Sequence, residues 1–142
     1  LDVVEAKKSL KISSPIGSTL PLIEVAPGMV LLSTSDDESI MRYLKEKGIH
    51  RYTDNTIPDI DAYMKVIEKV RVTKYALGLE EYLKGIRAVA TLIYSENIPV
   101  ATLYIVGFTS SMSDERLPFM IDQVTATARQ ISERLTSLFA DR

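Results

Sequence analysis

The sequence predicts an α/β fold in the loose sense, or α+β: an antiparallel sheet covered by helices. Three observations predict it. Ile86 to Tyr94 and Ile98 to Phe108 are apolar runs of strand length, and Ser95-Glu-Asn97 between them is a turn. Leu117, Met120, Ile121, Val124, Ala128, Ile131, Leu135, Leu138 and Phe139 recur at steps of three and four, which is the period of a long amphipathic helix. Two strands in one hairpin make an antiparallel sheet, and its apolar faces need helices over them.

The remaining elements follow in chain order. Val3-Val4 and Leu10-Lys-Ile12 read as two short strands joined around Ala6-Lys-Lys-Ser9. Pro15-Ile-Gly17-Ser-Thr is a turn. Val25 to Leu32 predicts a short apolar helix, with Pro27 tolerated in its first turn. Ser35-Asp-Asp-Glu38 has the capping-box pattern, Ile40, Met41 and Leu44 follow at helical spacing, and Gly48 supplies the stop. Thr53-Asp-Asn-Thr56 is a loop. Pro58 opens a helix with the stripe Ile60, Tyr63, Met64, Ile67 and Val70. Lys74-Tyr-Ala-Leu77 is a short strand. The last helix starts between Ser113, a cap candidate, and Pro118.

The bulk numbers set bounds. The chain has 142 residues, enough for one domain, and 46% of them are hydrophobic, enough for a sizeable core. A net charge of −2 gives this segment no electrostatic footprint for nucleic acid. Without cysteine there are no disulfides, thiolate metal sites or cysteine nucleophiles, which fits a cytoplasmic setting. No apolar run is long enough to span a bilayer. The first residues form no signal peptide and lack an initiator Met, so the chain reads as part of something longer.

Catalytic chemistry finds little support. His50 is the single histidine. As a base it could be oriented by Asp54 or Asp61, yet no placed nucleophile accompanies it, and a loop histidine past a helix end is the better reading. Glu80 and Glu81 are adjacent and so diverge on either regular backbone, which leaves a solvated loop. Ser110, Ser111 and Ser113 lie in no nucleophile-elbow pattern and read as the turn before the last helix. Gly85 and Gly107 lack phosphate-cradling spacing. Asp36, Asp37 and Glu38 are explained by helix capping without a metal. The sequence therefore predicts no enzyme, no metal and no cofactor.

Strand alternation points to a cavity instead. Ile86, Ala88, Ala90 and Leu92 share one face of the first strand, and Thr102, Tyr104, Val106 and Phe108 share one of the second. The second strand is apolar on both faces, which predicts cover on both sides: the last helix on one, and a helix, loop or ligand on the other. Small Ala88 and Ala90 beside Tyr104 leave room next to a polar tip, as ligand cavities do. A further helix filling that space is equally compatible with these residues.

Several motifs in order resemble one family. Gly17-Ser-Thr-Leu-Pro-Leu22, Ala26-Pro-Gly28 and Leu31-Leu32, then Val70-Arg-Val-Thr-Lys-Tyr-Ala76, Glu80-Glu81 with Gly85 and Val89-Ala90, Gly107, and Ala128…Ile131-Ser132…Leu135 are similar to the effector-binding domain of IclR-family transcription regulators. The resemblance runs from about Val4 to Leu138. It implies a GAF-like fold, a curved antiparallel sheet flanked by helices. It implies a small-molecule effector whose binding alters the grip of an N-terminal winged helix-turn-helix domain on operator DNA. That domain and the first sensor strand would lie outside this chain, and assembly into homodimers or homotetramers is expected. By position, the ligand wall implied here is Ile12, Leu20, Ala26, Leu79, Ile86, Ala88, Tyr104 and Val106.

The departures from the family pattern carry an expectation of their own. A frequent cysteine is Ala88, a frequent acidic residue is Leu79, small hydroxyl residues are Tyr104 and Val106, the histidine after Leu-Pro-Leu is Ile23, and the lysine after Gly28 is Met29. A buried, unpaired carboxylate costs several kcal/mol, so this wall predicts an apolar or aromatic effector touching the Tyr104 hydroxyl or Thr102. The alternative function is a standalone GAF-like sensor with no DNA partner.

Overall fold

The computed structural model describes residues 2–7 and 11–140. Along them run α1 (Ala26–Leu32), α2 (Asp37–Lys47), α3 (Ile60–Thr73), β1 (Tyr75–Leu79), β2 (Ile86–Ser95), β3 (Ile98–Phe108) and α4 (Leu117–Ala140). The three strands form one antiparallel sheet in the order β1-β2-β3. The predicted class, the hairpin and the long last helix are all present.

Each boundary has a local cause. Asp36 caps α2 by accepting the Ser39 N–H at 2.8 Å, so the cap is one residue later than the Ser35 of the predicted capping box. The Asp36 carboxyl sits below its ordinary range because the Ser39 backbone and hydroxyl both donate to it. Gly48 ends α2 at φ 76°. Asp59 caps α3 through the Ala62 N–H at 2.8 Å, leaving Pro58 just outside the helix. Glu96 and Asn97 both have positive φ, the type I′ geometry that matches strand twist. Pro118 falls in the first turn of α4, where its missing N–H costs no helical bond.

Helices cover both faces of the sheet. On one, Val89 packs with Leu77, Leu103 and Ile105 against Leu117, Met120, Ile121 and Val124 of α4. On the other, Ala76, Ala90 and Leu92 meet Ala26, Met29 and Val30 of α1 and Ile67 and Val70 of α3. β2 is the central strand, with Val89 to Ile93 all buried. Fully burying a valine- or leucine-sized side chain contributes about 1.5–3 kcal/mol, so this strand anchors the fold. Its register slips between Ile93 and Tyr94, and the Tyr94 N–H is taken up by Ser132 Oγ of α4 at 2.9 Å.

Two expectations are corrected. β3 is an edge strand, not one covered on both sides: Ile98, Val100 and Val106 are exposed, and its Pro99 is tolerated because an edge N–H has no partner to lose. Val3-Val4 and Ile12 form no strand, while Leu10 lies outside the described residues. The two N-terminal segments are joined through side chains instead. Glu5 accepts from Lys11 and from Ser13 Oγ, the latter at 2.7 Å. Those two donors hold the Glu5 carboxyl below its ordinary range.

Candidate functional site

A cavity of about 350 Å³ lies over the face of the sheet opposite α4, within the size range of small-molecule sites. Its floor is set by register. Gly78 of β1 faces Ala88 of β2, and Ala88 faces Val106 of β3, with Tyr104 two pairs further along, opposite Ala90. Ile86 and Phe108 close the floor at the other end. One wall is the chain entering α1, from Leu20 through Pro27. The second is the segment Lys11 to Ser14. The third is the β1–β2 loop, through Glu80, Tyr82 and Leu83.

Of the eight residues the resemblance implied, Ile12, Leu20, Ala26, Ile86, Ala88, Tyr104 and Val106 line this cavity. Leu79 does not: it pairs with Arg87 at the end of β1, on the alternate face from Gly78, and is exposed. Thr102 lies beyond the cavity, in a separate space of about 430 Å³ between β3 and the N-terminal segment. Lys11, Ile12, Ser14, Tyr104, Val106 and Phe108 line both spaces.

The small residues have a role other than leaving room. A Cβ on Gly78 would lie 3.2 Å from the Ala88 Cβ and 3.6 Å from the Ala26 Cβ. Gly78, Ala88 and Ala26 therefore let α1 seat directly on the sheet, and the open volume lies beside that seat, toward β3. Gly28 permits the same closeness on the other side of α1, where an added Cβ would fall 1.6 Å from the Leu22 carbonyl oxygen.

Polar anchors fix the wall. Tyr63 Oη donates to the Ile23 carbonyl at 2.7 Å. Burial first, and the nearby Glu24 charge second, push that hydroxyl's pKa well up, so it stays a donor. Glu24 is buried, and its Oε1 accepts the His50 backbone N–H at 2.9 Å. His50 thus enters the architecture through its main chain, while its side chain is exposed. Sequence reading missed Glu24; a lone carboxylate inside Leu-Pro-Leu-Ile-Glu-Val-Ala was the available signal.

Glu80 and Glu81 are half-buried, not solvated as predicted. Glu80, at φ 68°, accepts the Gly85 N–H at 2.6 Å, and Glu81 accepts the Leu79 N–H. The two carboxylates staple the ends of their own loop. Burial raises the Glu81 pKa above its ordinary value, against the pull of its backbone donors. Arg87 donates to the Met112 carbonyl at 2.9 Å and to Asp114 at 2.8 Å, while its buried Nε has no partner among the described residues. The cavity combines apolar walls with Tyr104 at its floor and Lys11, Glu24 and Glu80 along its sides.

Comparison with known proteins agrees. Residues 1–133 match the family described as "Bacterial transcriptional regulator IclR C-terminal". The HTH-type transcriptional repressor AllR of Escherichia coli K12 is 30% identical over 133 residues, 93% of this chain and 49% of that protein. The chain spans about half the length of the curated relatives it matches. A transcriptional regulator from Rhodococcus sp. RHA1 superposes with a TM-score of 0.87 at 27% identity, covering 94% of this chain and 55% of that one. The inducer-binding domain of the PobR transcription factor from Acinetobacter, solved as a double mutant with 3-hydroxybenzoic acid, superposes with a TM-score of 0.77 at 29% identity, covering 89% and 73%. The cavity, the order of the elements and these matches together place the chain in the IclR family of bacterial transcriptional regulators, as its C-terminal domain.

Proposed function

We propose that this domain binds a small, largely apolar or aromatic effector in the 350 Å³ cavity, and that occupancy alters operator binding by an N-terminal helix-turn-helix domain of the full-length regulator. The carrying observation is the cavity's chemistry. Ile12, Leu20, Ile86 and Val106 wall it, and Tyr104 at its floor carries a hydroxyl. A ligand ring gains from the apolar walls, and one ligand oxygen or nitrogen gains a partner in Tyr104. Lys11 stands at one wall with its ammonium already taken by Glu5, and at the floor a carboxylate would lose its hydration unpaired, so a largely uncharged ligand fits best. The hydroxybenzoate bound by the PobR domain supports an aromatic ligand of this size.

Binding shifts the regulator by favouring one of two states, with a reciprocal effect of DNA on ligand affinity. Self-association into dimers or tetramers belongs to the same reading, since Val72, Ile98, Val100 and Phe119 expose apolar side chains. So does a cytoplasmic setting, where operator DNA is reached.

Calorimetric titration of the 142-residue chain tests the ligand class, with 3-hydroxybenzoate and phenol on one side and glyoxylate and pyruvate on the other. Saturable heat with the aromatic pair alone is expected. Tight binding of the small acids alone would overturn the apolar reading. A gel-shift of the full-length protein on its operator, with and without the bound compound, then reads the coupling to DNA; an unchanged shift would remove it.

A further inference from the structure

The Thr53-Asp-Asn-Thr56 stretch does not touch the cavity, yet it fixes one of its walls. Three consecutive carbonyls of the β1–β2 loop are each met by a side chain from this stretch. Asn55 Nδ2 donates to the Leu79 carbonyl at 3.1 Å, Thr53 Oγ1 to that of Glu80 at 2.6 Å, and Thr56 Oγ1 to that of Glu81 at 2.7 Å. The two hydroxyls are themselves oriented. Thr56 Oγ1 accepts the N–H groups of Tyr52 and Thr53, both at 3.0 Å, and Thr53 Oγ1 accepts that of Asn55 at 3.1 Å. An edge-to-face contact between Tyr52 and Tyr82, centroids 4.9 Å apart, closes the far side.

A loop whose carbonyls were left to water would be free to swing. This one carries Glu80, Tyr82 and Leu83 into the cavity wall and is held at consecutive peptide units from outside the site. We propose that Thr53, Asn55 and Thr56 are positioning residues of the effector cavity: by clamping the Leu79–Glu81 backbone they set the opening of the wall formed by Tyr82 and Leu83, and with it the size of ligand admitted. The inference rests on the ligand-cavity reading above and concerns residues that meet no ligand themselves.

Thr56→Val keeps the shape of the side chain and removes the hydroxyl, while Thr56→Ser restores it. Two neutral aromatic probes of different size, indole and N-phenyl-1-naphthylamine, are titrated by fluorescence into the wild-type 142-residue chain and both variants. Hydrogen exchange of the 79–85 amides is followed without ligand. Thr56→Val is expected to speed that exchange by about tenfold, as the Glu81 carbonyl is left with only the longer 3.4 Å contact from Thr53 Oγ1. It is also expected to shift the affinity ratio toward the larger probe by about fivefold, and Thr56→Ser is expected to return both. A purely stabilising role would lower both affinities by one factor, so an unchanged ratio overturns the proposal. Unchanged exchange overturns the clamp itself whatever the probes do. If neither probe binds the wild-type chain, the ligand-cavity reading fails first and takes the positioning role with it, while the exchange data still report on the clamp.

Discussion

A Cβ on Gly28 would lie 1.6 Å from the carbonyl oxygen of Leu22, closer than any side chain permits. The contact is backbone against backbone, so no rotamer change relieves it. It makes the Leu-Pro-Leu segment and α1 fold onto each other as one rigid wall of the cavity.

Gly28→Ala is therefore expected to destabilise the domain by roughly 3 kcal/mol, the upper end for overpacking at a site that cannot relax. Chemical denaturation, read as a midpoint shift at unchanged slope, measures it. A loss below about 0.5 kcal/mol would mean that the segment yields easily.

Tyr63→Phe removes the donor to the Ile23 carbonyl, 2.7 Å away in the buried interior. An orphaned buried acceptor costs about 1–3 kcal/mol. Thermal unfolding should fall by several degrees for a domain of this size, and the entry to α1 should exchange its amides faster.

Tyr104→Phe is a contrasting case. The substitution keeps the ring of this half-buried side chain, so stability should change by less than about 0.5 kcal/mol. Affinity for 3-hydroxybenzoate or phenol should drop about three- to tenfold if the hydroxyl meets the ligand's polar atom. Equal affinities for variant and wild type would place the polar contact elsewhere.

Glu81 ties stability to pH with a defined sign. Its pKa is raised from the ordinary 4.5, chiefly by burial, so over the window above that value the folded state holds a proton that the unfolded state has lost. The resulting stability is present below the unfolded pKa and is lost as pH rises through the folded one. Glu81→Gln removes this loss and keeps an oxygen for the Leu79 N–H. The variant should gain on the wild type as pH climbs through the window, seen by denaturation at stepped pH. A stability difference that does not vary with pH would contradict the assignment.

Local chemistry explains why most of the fold was readable. The hairpin was written in two apolar runs around Glu96-Asn97, and α4 in a three-and-four repeat. Both signals need only near neighbours in the chain. The cap of α2 moved by one residue, to Asp36, because Ser35 and Asp36 are alike as caps and its backbone geometry selects between them.

By itself the sequence determined the class, the helix and strand periods, the hairpin turn and, through motif order, the family. Tertiary structure decided what depends on partners far along the chain. β2, not β3, became the fully covered strand because β1 pairs on its other side. Leu79 left the cavity because register puts Gly78 on the facing side. Glu24 became a buried anchor for the His50 backbone, and Thr53, Asn55 and Thr56 became the support of a wall some 25 residues away. Periodicity reports which face a residue takes; only packing reports what that face meets.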